Sequence, residues 1–164
     1  MRPLDIRRIN QNAPYRVAVI DSVYSFTAQG GGVITIQFVL EQEYGFDTGY
    51  WLGLGNSLEE PSVKDDGIRE TVFCIIEEFF KQNPYYLLYT CAFHDGKQHL
   101  RNRLFKSWFT NYSHSDLYHI HTKDVVIKGN KTYLSIIVPK SHPDFEDIIS
   151  YFDEVIAIMK SGKP

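Results

Sequence analysis

Apolar and polar positions alternate in two registers along this chain, one with a period near two and one near 3.6, and their order predicts the fold. Residues 15–27 are rich in Val, Ile, Tyr and Phe and read as a strand. Ala28-Gln29-Gly30-Gly31-Gly32 then gives the permissive backbone for a reversal into residues 33–40. There Ile34, Ile36 and Phe38 share one face and Val33, Thr35 and Gln37 the other, as in a half-buried strand. Residues 46–54 form a third strand that Gly49 and Gly53 interrupt.

The period then changes. Ile68, Val72, Ile75, Ile76 and Phe79 make a helical apolar stripe, which Asp65 or Asp66 can cap after Pro61 and which Asn83-Pro84 ends. Residues 85–91 are an almost unbroken apolar run, the pattern of a strand covered on both faces. His94-Asp95-Gly96 is a turn, and a second helix is expected over 97–111. Residues 117–128 and 131–139 read as strands joined at Gly129-Asn130. Phe145, Ile148, Ile149, Phe152, Val155, Ile156 and Met159 mark a last helix, with Ser141 or the residues just after it as cap and Pro143 in its first turn. The expectation is an α+β fold of order βββαβαββα, a mainly antiparallel sheet with three amphipathic helices. A single domain spans 15–160, preceded by an extension over 1–14.

Composition narrows the function classes. The 164 residues include eleven Tyr, eleven Phe and two Trp, enough packing groups to exclude a disordered chain. A formal charge of −3 removes a whole-molecule basic footprint, so any nucleic-acid role needs a local patch. Two cysteines without C-x-x-C spacing fit buried free thiols in a reducing cytosol. The first fourteen residues lack the apolar core of a signal peptide, and no 18-residue apolar run predicts a membrane span. A cytoplasmic protein is expected.

Candidate chemistry concentrates on residues 94–112. Lys97, Arg101, Arg103 and Lys106, with His94 and His99, are the one basic segment, and Phe105, Trp108, Phe109 and Tyr112 interleave with it. That mixture suits phosphate contact and base stacking, but an ordinary solvated helix face has the same composition. Helical projection places Arg101 among Leu100, Leu104, Phe105 and Trp108, so it needs an acidic partner, with Asp65, Asp66, Glu70 and Asp95 as candidates. It reads either as an anion-recognising arginine or as a salt bridge that fixes the helix. The segment 59–78 is acidic, and opposite charges favour mutual packing or self-association as readily as an external ligand.

His119 and His121 project to one face of a strand near His114 and Asp116, but no metal-binding spacing accompanies them, and they read as two histidines on an exposed strand face. No cofactor is expected: Gly30-Gly31-Gly32 precedes a strand, and Gly53-Leu54-Gly55 lacks the rest of a nucleotide motif. No serine sits in a G-x-S-x-G elbow.

Tyr24-Ser25-Phe26-Thr27, the helix 71–80, Leu88-Tyr89-Thr90-Cys91 and the run from Arg101 to Phe109 together resemble the domain-of-unknown-function family 6169. The resemblance spans roughly residues 15–155 and is most specific in R-x-R-L-F-x-x-W-F after a Tyr-x-Cys strand. Ala92 stands where the family usually has an acidic residue, with Asp95 farther on. The resemblance implies a bacterial, largely Bacteroidota, cytosolic protein of one domain and implies no catalytic residues.

A non-enzymatic binding protein is therefore the leading expectation, with a protein partner or a second copy held by Arg101, Arg103, Lys106, His94, His99 and Trp108. An accessory of a toxin–antitoxin or anti-phage system would fit. The alternatives are an enzyme acting on a phosphorylated or nucleic-acid substrate, with Arg101 stabilising charge and His94 or His99 moving a proton, and a nucleic-acid-binding domain using the basic helix.

Overall fold

The computed structural model describes residues 1–58, 65–91 and 95–162, so Glu59, Pro61, Ala92 and His94 of the sequence reading lie outside the described residues. Two compact units are present, one of Met1–Leu40 and Tyr50–Tyr85, the other of Glu41–Gly49 and Tyr86–Pro164. The elements run α1 (Ile6–Asn12), β1 (Ala18–Ile20), β2 (Val23–Thr27), β3 (Val33–Leu40), β4 (Gly49–Asn56), α2 (Asp66–Gln82), β5 (Tyr86–Thr90), α3 (Gln98–Asn111), β6 (Tyr118–Ile127), β7 (Asn130–Pro139) and α4 (Phe145–Ser161). The chain is α+β, and the pairings within each unit are antiparallel.

In the first unit the strands lie in sequence order, β1 to β4. The stretch expected as one strand over 15–27 is broken into β1 and β2, because Asp21 and Ser22 adopt φ of 50° and 64° and reverse the chain in two residues. Such turns match the twist of a hairpin but usually carry Gly or Asn, and neither is present to signal one. Tyr24, Phe26, Ile34, Ile36, Tyr50 and Leu52 are buried on the inner face, and Phe38 stacks on Phe79 of α2 at 4.6 Å. α2 starts where Asp65 accepts a hydrogen bond from the Gly67 amide, and Val72, Ile75, Ile76 and Phe79 are buried as their spacing predicts.

The N-terminal residues contain a fourth helix that their polar composition did not suggest. Asp5 caps α1 through the amides of Arg7 and Arg8, and Leu4 and Ile9 are buried. Glu78 of α2, 2% exposed, accepts from the Asp5 amide and from the Gln82 side chain at 2.8 Å, with the Arg8 guanidinium at 3.7 Å. A carboxylate at such a depth needs these partners to offset lost hydration.

On the outer face the register sets Ser25 beside Thr35, Thr35 beside Gly55, Gln37 beside Gly53 and Val39 beside Trp51. Ile20 and Val23 continue that face across β1 and β2.

In the second unit β7 lies between β5 and β6. The hairpin turn is Lys128-Gly129, at φ of 50° and 78°, one residue earlier than the expected Gly129-Asn130, and Asn130 instead pairs with Ile127. Successive residues of β5 face opposite ways, so the two helices take opposite faces of this three-stranded array. Phe105 of α3 stacks on Tyr89 at 4.3 Å, whereas Leu88 is paired with Ile136, which is paired with His121, beneath α4. The residues around Ser141 and Pro143 form a turn before α4, and Asp144 occupies the cap position. The buried Glu41 carboxylate accepts from the amides of Tyr44 and Phe46 at 2.8 and 3.0 Å, which closes the loop before β4.

Candidate functional site on helix α3

The N-terminal end of α3 is built by Asp95. Its carboxylate accepts from the Lys97 amide at 3.1 Å, and both terminal nitrogens of Arg101 bond to it, one at 2.7 Å. Lys97 occupies the cap position without a side-chain bond, and Asp95 fixes the chain just before the helix by accepting from the Lys97 amide. Asp95, one of the four acidic candidates, is ion-paired with Arg101. The hydrogen bond to Asp95 raises the Arg101 pKa above its ordinary value. The guanidinium is one third exposed and also lies in the field of Tyr89 and Cys91. Burial raises the pKa of the Tyr89 phenol and of the Cys91 thiol.

The buried stripe of α3 differs from the projected one. Asn102, Phe105 and Phe109 are buried, and Tyr112 just past the helix joins them. Leu100 and Leu104, expected to be core, are 50% and 48% exposed. A leucine pair one turn apart projects as well onto the core as onto solvent; Phe105 and Phe109, larger and also one turn apart, take the core side. Leu100 and Leu104 thus stand on the outer face about 6 Å apart along the axis. Arg103 is exposed next to them, His99 and Lys106 are exposed farther round the helix, and Trp108 is half-buried. The outer face of α3 is a short apolar ridge with positive charge along one flank. Of the candidate residues, α3 brings Arg103 to this ridge and sets His99 and Lys106 on the flank beyond it, while Arg101 is turned to Asp95. The exposure of the leucines is what the sequence reading missed, and the competing Phe105–Phe109 spacing was the signal for it.

His119 and His121 do share a face, but α4 packs over it. Their rings stack at 5.9 Å, His119 meets Phe145, His121 meets Phe152, and His121 Nε2 lies 2.8 Å from an Asp153 carboxylate oxygen. Among the described residues no group of three or more His, Cys, Asp or Glu side chains is arranged to hold a metal ion. His114 instead lies within 3.3 Å of the Tyr112 hydroxyl.

The profile of a family of unknown function (DUF6169) matches residues 64–154, 91 of the 164 residues and so more than half of the chain. The chain belongs to that family. The match runs from the start of α2 through most of α4 and includes all of α3, whereas α1 and β1 to β4 lie outside it. No curated protein and no solved structure matches the chain. No helix among the described residues is long and apolar enough to cross a membrane.

Proposed function

We propose that this protein is a binding protein and that the outer face of α3 receives an acidic protein partner with apolar side chains at its centre. The observation that carries the reading is the exposure of Leu100 and Leu104 on a helix that exposes Arg103 next to them and His99 and Lys106 farther round the same flank. An apolar centre within a charged rim is how protein-binding patches are composed. Exposed cations speed the encounter with an acidic surface, and the leucines lose water once it is made. The ion pair with Asp95 engages Arg101 in positioning the helix, which favours recognition through this face over an anion site at Arg101.

The test is native mass spectrometry of the untagged protein from its own host, followed by binding of the purified partner. An acidic protein should co-purify. Arg103→Glu with Lys106→Glu should lower its association rate by about tenfold or more and weaken the salt dependence. Leu100→Ala with Leu104→Ala should act mainly on dissociation. A stoichiometric nucleotide, phosphorylated metabolite or nucleic acid in place of a protein, or capture indifferent to the charge reversals, would overturn the reading.

A further inference from the structure

The strand positions on the outer face of the β1–β4 array carry no charge of either sign. Strand alternation assigns Ala18 and Ile20, then Val23, Ser25 and Thr27, to the same side as Val39 and Trp51, and of the strand positions on this side only Gly49, at the start of β4, is buried. Ile20 is 72% and Val39 51% exposed. The adjoining charges Arg16 and Asp21 fall outside the strands. A solvent-facing sheet normally alternates apolar-in with polar or charged-out, so exposed Ile20, Val33 and Val39 among uncharged Ser, Thr and Gln depart from the expected pattern.

The face is also low in relief. Gln37 and Thr35 lie across the two glycines of β4: a methyl group at Gly53 would come within 2.9 Å of Gln37 Cγ, and one at Gly55 within 2.6 Å of Thr35 Oγ1. Flat, β-branched surfaces of this kind stack on one another about 10 Å apart.

We infer that this face pairs with the same face of a second copy of the chain, as a two-fold sheet-on-sheet dimer. A two-fold operation sets a patch against itself, which succeeds only where the patch does not repel itself. The chain's formal charge of −3 opposes self-association elsewhere, but the strand positions of this face contribute none of it. A charged partner would find nothing to complement. The strand lengths and the usual spacings give roughly 400 Å² in plan for each copy. That falls in the class of small, reversible interfaces, so the dimer exchanges with monomer at micromolar to millimolar concentration.

Sedimentation equilibrium of the full chain, at low and high salt, tests this. The expected result is reversible dimerisation that salt leaves unchanged or strengthens, because apolar burial and not ion pairing drives it. Val39→Lys should weaken it by at least about tenfold. Val126→Lys, at a still more exposed position on β6 and so not on the β1–β4 array, should leave it unchanged. Thr35→Glu serves as the second disrupting variant if circular dichroism shows that Val39→Lys is unfolded. A wild-type chain that stays monomeric at millimolar concentration, a dimer that salt dissociates, or one that both substitutions on this face leave intact would overturn the inference. The α3 variants separate it from the proposed function, since Arg103→Glu with Lys106→Glu should not change this dimer.

Discussion

Asp95 performs two tasks with one carboxylate, accepting the Lys97 amide and holding Arg101 two-pronged. Replacing it with alanine removes both, and the loss should be about 1–2 kcal/mol in urea unfolding, the range for a lost hydrogen bond to a charged group with a partly exposed ion pair. Asp95→Asn should cost less, since the amide oxygen can still accept from Lys97 while the charge is lost. Equal losses for the two variants would mean that the ion pair, and not the bond to the Lys97 amide, sets the contribution. The sequence already had Asp95 among the partners Arg101 needs, because a cation on a helix flank must meet a carboxylate or water. It could not select among four candidates, since Asp65, Asp66 and Glu70 belong to the N-terminal part of a different helix and only folding decides which of them comes near.

At the scale of elements, the strand and helix periods were readable wherever one face is buried. They failed where a face has two ways to turn. In α3 the Leu100–Leu104 pair competes with Phe105–Phe109 for the core and loses. In β6 the shared side of His119 and His121 follows from strand alternation, but the sequence reading left it open to solvent, because the covering helix α4 comes from more than twenty residues farther on. That cover has a pH consequence. Burial lowers the His119 pKa from its ordinary value of 6.5; His121 and Lys140 lower it further, and Glu146 opposes them. A neutral His119 is therefore favoured in the folded chain. As pH falls through the ordinary histidine range, the unfolded chain takes up the proton first, so stability declines until the pH reaches the lowered value. Thermal unfolding followed from neutral to mildly acid pH should show that decline, and His119→Gln should flatten it; an unchanged slope in the variant would assign the decline to other groups.

For the molecule as a whole, aromatic content and apolar periodicity announced an α+β chain, whereas α1 and the β1–β2 hairpin went unseen. Both rest on short local bonds, the Asp5 cap and a two-residue turn, which leave almost no periodic trace. The two thiols offer a readout for each unit. Cys74 on α2 has its pKa pushed up to about 11, first by burial and then by Glu77 and Glu70, and burial likewise raises that of Cys91. Little thiolate exists at neutral pH in either. A disulfide reagent should therefore label the native chain far more slowly than a free thiol, and Cys91, 1% exposed, more slowly than the half-buried Cys74. Prompt labelling of both would contradict the burial that holds them neutral.

β1 is held to β2 by three residue pairs and turns on two side-chain-bearing residues in the left-handed region. Each such residue costs about 1 kcal/mol of backbone strain. So small an element works as a guard: when it peels away, the free edge of the array becomes Val23-Tyr24-Ser25-Phe26-Thr27, five uncharged residues of high strand propensity without a proline. Edges of that composition template the addition of foreign strands. Protection of the chain against edge-to-edge strand addition thus falls to β1, the shortest strand among the described residues.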